Sequence, residues 1–522
     1  MKKPFQIYPF SSEKLNEIFT EKSGANPELI NEKPHIIYFK EYFQDSGTQT
    51  IIVENDYIDR DFLEDFSAYY VRCFADYRRK CTRLHFFKNK FGYEEYNAFL
   101  ENKNRSLKDQ LQKNYLGFIV IKPLPRTIIG RTCLKSYPEE KGVNRNFPIV
   151  REYEVNLYGC PLTVKTLAFQ EQDTVVAACA TSALWSVFQG TGILFQHRIL
   201  SLVEITKAAT KQLPLETRAF PNKGLSVEQM AHAIQEVSLE PFLVEIKNEE
   251  YILKSYIYAY LKFGIPIILG VDLYNTANDN IEYVGKHAVA VTGYRMDMNQ
   301  LELNKREKFK LFSSRMSEIY VHDDQVGPFA KMVIDSQKVS SLDNKSEKNV
   351  ISMSTSWKLE DAKIGDIRAV PLILLIPLYH KIRISLGTVY EIISVFYAIL
   401  ENLSKNKKLM IRKFEWDISL TSVNQFKSEL FSSLNAKTNF KDILLKSMPH
   451  FIWRATALDH DKPVIDMLFD ATDIEQGHFF ICAVEYDRKL FLILREILRE
   501  KFFDEVLKKT SCWEIIQWFR EN

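Results

Sequence analysis

At 522 residues, with 46% hydrophobic and 26% charged side chains, the chain has globular composition and is too long for one ordinary domain; roughly two to four are expected. A formal net charge of +2 gives no electrostatic reason to expect a nucleic-acid or membrane partner. The seven cysteines (Cys73, Cys81, Cys133, Cys160, Cys179, Cys482 and Cys512) are odd in number, scattered and without a C-x-x-C pair, which argues against a disulfide framework or a zinc cluster and suits a reducing compartment.

Residues 1–150 read as an α+β region that opens without the apolar stretch of a secretory signal. Residues 36–39 and 50–53 look extended. The spacing over 61–84 is helical, with Phe62, Phe66, Tyr69, Tyr70, Cys73 and Tyr77 as its apolar face. A more polar helix is expected over 93–113, then a strand over 116–123 closed by proline. Arg78, Arg79, Lys80 and Arg83 read as a solvated helix face, and Arg131 as a structural loop residue. Cys73, Cys81 and His85 on one helix would spread too widely, and lack a fourth ligand, for zinc. The charged segment 138–146, with Pro and Gly, is a loop near a boundary at 150.

Residues 151–340 alternate strands and helices. A helix is expected over 175–189. Ser226 and Gln229 form a capping box for the next helix, which buries Met230, Ile234 and Val237. A strand at 241–246, a helix at 251–263 ended by Gly264, and a strand at 266–271 follow. Strands at 287–294 and 319–321 complete a small antiparallel sheet, and the charged stretch 296–317 between them reads as an exposed hairpin extension. Residues 336–361, rich in Ser, Asn and Lys, suggest a linker or lid.

The last region, 341–522, begins with the longest apolar run, 369–378. It holds two prolines and is far shorter than the ~20 residues of a membrane helix, so a buried strand is expected. Helices over 388–403 and 423–434, parted by a polar break at 405–408, precede strands at 451–458, 464–469 and 478–485. A soluble, cytoplasmic α+β protein is the expectation.

The chemistry concentrates in the middle region. Cys179 opens a helix of small residues, Ala178, Ala180 and Ala183, which can pack closely under a substrate groove. A helix N-terminus and a nearby imidazolium both stabilise a thiolate. His287 follows Gly285 and opens an apolar strand, read as alternating in exposure, that ends in Gly293-Tyr294. Asp323 continues the alternation from Val321 and is placed to hold the imidazole tautomer, with Asp324 as the alternative. Gln172, seven residues before Cys179, offers an amide that could join the Cys179 N–H in an oxyanion hole. A lone buried cysteine is usually a small hydrophobe and a lone histidine is compatible with a core position; the ordered set carries the reading.

In that order these segments resemble the papain-like superfamily of cysteine peptidases, and most closely its bacteriocin-processing branch. The likeness rests on Gln172, Cys179, Gly224-Leu225-Ser226, Leu261-Lys262-Phe263-Gly264-Ile265-Pro266-Ile267-Ile268, the strand from His287 to Tyr294, and Tyr320-Val321-His322-Asp323. Ala180 stands where a glycine is usual. The Gln-to-Cys spacing is one residue longer than usual, so Asp173 takes the customary glutamine position. The resemblance implies a helix carrying the cysteine packed on an antiparallel sheet carrying the histidine and the acid, between α/β flanking domains. It assigns Cys179 as nucleophile, His287 as base and acid, Asp323 as orienter and Gln172 as oxyanion donor, with no cofactor and no metal. The implied activity is cytoplasmic cleavage of a protein or peptide through a thioester, the flanks being available to a partner protein, with no membrane or nucleic-acid partner. Deamidation, transglutamination or another acyl transfer would use the same triad; a binding module with a vestigial site is the reading from a different class.

Overall fold

The computed structural model describes residues 4–103, 106–138, 140–173, 175, 177–211, 224–275, 282–298, 309–335, 350–355, 367–406, 414–433, 440–474, 479–499 and 504–521. Helices and strands are mixed, and the chain divides into two compact units, each discontinuous. The first comprises Met1–Asn248, Gly264–Arg295 and Ser317–Pro377; the second comprises Glu249–Phe263, Met296–Met316 and Leu378–Asn522. Three successive domains were expected, and the boundaries at 150 and 340 are not the ones at which this division falls.

Two strands in the first unit, Cys81–Phe87 and Tyr115–Ile121, are buried at every residue because both faces of their sheet are covered. They lie inside a five-stranded antiparallel sheet ordered Phe5–Pro9, Thr50–Tyr57, Cys81–Phe87, Tyr115–Ile121, Ile129–Leu134. Ile51, Val53, Leu84 and Phe86 pack one face against the helices Ser12–Ser23 and Pro34–Asp45. Ile52, Phe87, Phe118 and Val120 join the core that also holds the Cys179 helix.

Two expectations fail in this region. Residues 36–39 are helical, not extended. Pro34 starts that helix, and His35, Ile36, Phe39, Tyr42 and Phe43 recur at helical spacing on its buried side, so periodicity prevails over the β preference of Ile and Phe. The helix expected over 61–84 stops at Ala68, and the same residues go on to form the Cys81–Phe87 strand. Cys81 and His85 are therefore strand residues, and Arg78, Arg79 and Lys80 lie in irregular chain ahead of it. Arg131 is structural, as expected, but on a strand, donating to Asp61 at 2.6 Å.

A closed six-strand barrel replaces the small open sheet. Its strands are Ile267–Asn275, Glu282–Met296, Met316–Asp323, Gly327–Asp335, Ser352–Thr355 and Ile367–Leu378, and the last pairs antiparallel with the first (Ile268 with Leu375 through to Asn275 with Ile367). Bulges at Gly270/Val271, Leu273/Tyr274 and Val321/Asp323 accompany the bending that closure requires. Closure explains why 340 is not a boundary: Ser352–Thr355 and Ile367–Leu378 finish a barrel begun at 267. Residues 350–355 thus belong to a strand-bearing segment of the expected linker, while 336–349 and 356–361 fall outside the described residues. Burial is continuous from His287 to Tyr294 rather than alternating, since the barrel interior takes one face and packed elements the other.

The second unit holds a sheet ordered Lys310–Leu311, Glu415–Ser422, Phe451–Asp459, Lys462–Asp470, Phe480–Glu485. Residues 309–315, expected in an exposed hairpin, are instead core: Phe309, Leu311 and Arg315 are buried, and Arg315 donates to Glu415 at 2.9 Å. The apolar pattern of Phe309 and Leu311 outweighs the surrounding charge. Helix Leu386–Asn406 buries Val389, Ile393, Phe396 and Leu400. Its segment Leu386–Ser404 is, among the described residues, the one helix long and apolar enough to cross a membrane, a test that core helices also pass.

Candidate active site

The chain reaches Cys179 through a tight turn. Asp173 accepts the Tyr70 hydroxyl and the Val175 N–H, and its carbonyl accepts the Ala177 N–H at 2.8 Å. The residue at the customary glutamine position is therefore a turn-former, held in the core. Ala178 is extended (φ −109°, ψ 179°), and Cys179 then begins the helix Cys179–Leu194. Thr181 Oγ1 accepts the Ala178 N–H at 3.4 Å, while the N-cap residue, an alanine, has no side-chain acceptor for the first-turn N–H groups. Cys179 itself is partly exposed, while the helix behind it is buried almost all round by its Ala, Ser and Thr residues and by Trp185 and Phe188. Ala288 and Ala290 of the barrel share that core.

The strand that carries His287 is set by Gly285, whose φ of +151° would strain any side chain. Two residues later His287 is 6% exposed, and its Nε2 lies 3.0 Å from Asp323 Oδ1 and 3.9 Å from Asp324 Oδ1. Asp323 Oδ1 also accepts the Gln325 N–H at 3.0 Å, which fixes the carboxylate. Burial would lower the imidazole pKa, but the Asp323 charge and hydrogen bond outweigh it, helped by the Cys179 thiol and Asp324, and hold His287 well above its usual range. Asp323 is correspondingly held low: burial pushes it up, and the His287 charge and hydrogen bond pull it further down. Nδ1 of His287 is buried and makes no hydrogen bond of ordinary geometry, so it is the ring nitrogen left for the neighbouring thiol.

Asp324 behaves differently from its neighbour. Both its carboxylate oxygens are buried without a hydrogen-bond partner, and burial, with the charges of Asp323 and Glu171, pushes its carboxyl up to about 7. Donor atoms of His287, Asp323 and Asp324 lie within 4.8 Å of one another, so among the described residues these three could hold a metal ion.

Of the four residues expected at the site, His287 and Asp323 are hydrogen-bonded to each other, and Cys179 is among the groups that raise the imidazole. Gln172 is half-buried and, among the described residues, makes no hydrogen bond, so nothing ties its amide to the cysteine. No protein-family model matches the chain, and no curated protein resembles it significantly. The site is thus read on its own chemistry.

Sequence reasoning missed the N-terminal contribution. His35 Nε2–H donates to the Asp324 carbonyl at 2.8 Å, and Lys33 pairs with Glu171, whose other oxygen accepts the Ile129 N–H at 3.0 Å. The signal was present in the helical spacing of His35, Ile36 and Phe39, which puts His35 on the buried side. His322, two residues before Asp324, is a core histidine: burial pushes it down to about 3, and Nδ1 sits 3.4 Å from Ser186 Oγ.

Proposed function

We propose that this protein is a cysteine hydrolase of papain-like architecture that cleaves a protein or peptide through Cys179, His287 and Asp323. The observation that carries the proposal is an imidazole held to a carboxylate through Nε2, its other nitrogen without a hydrogen-bond partner, and an interaction of the same ring with the cysteine that opens a helix. His287 Nδ1 takes the Cys179 proton, and the thiolate attacks the scissile carbonyl. The helix-start N–H groups meet the oxyanion. The imidazolium returns its proton to the leaving amine, giving a thioester, and water activated by the neutral imidazole then releases the acid. Asp323 keeps the ring in one tautomer and stabilises its cation. Such a thiol must stay reduced, which favours a cytoplasmic setting.

Deamidation or acyl transfer shares the acyl-enzyme and differs only in the acceptor admitted. Intact-mass measurement after incubation with a candidate protein separates the outcomes: fragments for hydrolysis, a one-dalton gain for deamidation, a crosslink for transglutamination. The proposal is tested first with iodoacetamide at neutral pH. Cys179 should be alkylated well ahead of the other cysteines, and His287→Ala should slow it; equal labelling of Cys179 and Cys73 would leave a binding module as the better reading.

A further inference from the structure

A cavity of about 260 Å³ lies in the first unit, with Asp323 among its lining residues. Its walls are the rings of Tyr38, Tyr42, Tyr137 and Tyr320, linked by centroid separations of 6.4, 6.4 and 5.9 Å. Their hydroxyls already have partners: Tyr42 donates to the Lys135 carbonyl at 2.7 Å, Tyr38 to the Pro328 carbonyl, Tyr320 to Glu318 at 3.2 Å while accepting from Arg145 Nε at 3.0 Å, and the Tyr137 hydroxyl lies 3.1 Å from that of Tyr38. Ring faces, together with the charged groups of the lining, are therefore what an occupant meets.

Charge decides what that occupant is. The two cations of the lining each pair with a carboxylate, Arg145 with Glu140 at 2.9 Å and Lys331 with Glu318 at 3.0 Å, the latter shared with Arg295 at 2.9 Å. Glu41 and Asp45 add further negative charge at the rim. Aromatic faces carry negative potential, and an acidic rim reinforces it, so the cavity favours a positive guest with an apolar body. Arg145 shows how the cage receives one, its guanidinium carbon lying 5.7 Å from the Tyr137 ring centroid.

The cavity also touches the triad. Asp323 lines it, and Tyr38 presses on Gly327, the residue paired with Asp323, so closely that a Cβ there would fall 2.6 Å from the ring. The Val326 N–H closes the intervening turn onto the Asp323 carbonyl at 2.9 Å. An occupant that braces Tyr38 braces the carboxylate that orients His287.

We propose that this cavity binds an organic cation, an ammonium or guanidinium on an aromatic or apolar body, and that occupancy alters the reactivity of Cys179 through Asp323. The second half rests on the thiol chemistry proposed above; the first does not. Calorimetry on the full chain would compare phenethylammonium with phenylacetate, its anionic counterpart. The ammonium should bind, the carboxylate at least about tenfold more weakly, and a Glu41→Gln, Asp45→Asn double variant should lose about tenfold for the ammonium. These rim changes leave the core intact, and a thermal melt checks it. Equal or tighter binding of phenylacetate, or unchanged affinity in both the double variant and Tyr137→Ala, overturns the assignment. Saturating phenethylammonium should change the rate of Cys179 alkylation more than about twofold, as a braced or displaced orienting carboxylate requires; binding with no change in rate overturns the coupling. Repeating the titration on Cys179→Ala separates the two ideas, since binding there is independent of any thiol activity.

Discussion

Among the described residues two buried histidines pair with carboxylates, and the two cases are opposites. His85 Nε2 lies 3.1 Å from Glu54, much as His287 Nε2 lies 3.0 Å from Asp323. Yet burial pushes His85 down to about 4, whereas His287 is held well above its usual range. The difference is in who else claims the carboxylate. Glu54 also binds the Arg83 guanidinium at 2.6 Å, and the second nitrogen of His85 is taken by the Tyr115 hydroxyl at 3.0 Å. Among the described residues no Lys or Arg pairs with Asp323, Asp324 lies 3.9 Å from the same ring nitrogen, and the ring's other nitrogen has no hydrogen-bond partner. A buried imidazole beside an acid is not in itself evidence of catalysis; the balance of charge around it is what separates these two pairs.

Removing the nucleophile is the bluntest way to break the comparison. Cys179→Ala should abolish turnover of any substrate the enzyme is found to cleave, and His287→Ala should reduce kcat/KM by about 10²–10⁴-fold, the usual worth of a positioned acid–base. His85→Ala should leave alkylation of Cys179 unchanged while destabilising the fold by about 2–4 kcal/mol in chemical denaturation. If both histidine variants slowed alkylation alike, the distinction drawn here would be lost. The same experiment reads out the other thiols: burial raises Cys133 and Cys512 to about 12 and Cys482 to about 11, so these should react only after unfolding.

The carboxylates sharpen it further. Asp323→Asn should cost about 10²-fold or more in kcat with the fold intact, because the ring loses its tautomer. Glu54→Gln should spare activity and cost about 2–4 kcal/mol of stability by leaving Arg83 without its counter-charge. The smallest effect is a pH signature. Asp324 has its carboxyl raised from 3.8 to about 7, so between those values the native state keeps a proton that the unfolded chain releases, and stability falls as pH rises. His85 is lowered from 6.5 to about 4, so over that range the unfolded chain holds the extra proton and stability rises with pH. Asp324→Asn should therefore flatten the loss towards pH 7, and His85→Asn the loss towards pH 4, as measured by urea midpoints across the range. Identical shifts at every pH in both variants would contradict these assignments.

What could be read from the sequence was whatever depended on local chemistry. The capping box of Ser226 and Gln229 forms as its spacing requires, with the Ser226 N–H donating to Gln229 Oε1 at 2.9 Å. Gly264 ends its helix, and of the ordered cysteine, histidine and acid the last two are hydrogen-bonded to each other. The choice between Asp323 and Asp324 was legible only as a preference, and the 3.0 Å against 3.9 Å separation distinguishes them. What could not be read was anything set by distant pairing. Barrel closure depends on Ile367–Leu378 finding Ile267–Asn275, a contact with no local signal. The fate of Phe309 and Leu311 depended on a sheet formed by residues beyond 414. Asp173, one position after Gln172, could not be told from a functional residue until its Tyr70 partner was visible.

The closed barrel also has a temporal consequence. The strand bearing His287 is sealed only when residues as late as 378 have been made, so a ribosome-bound chain carries its cysteine long before the imidazole is locked in place. Until Ile367–Leu378 has been made, the two side chains of the proposed pair are not held by a closed barrel.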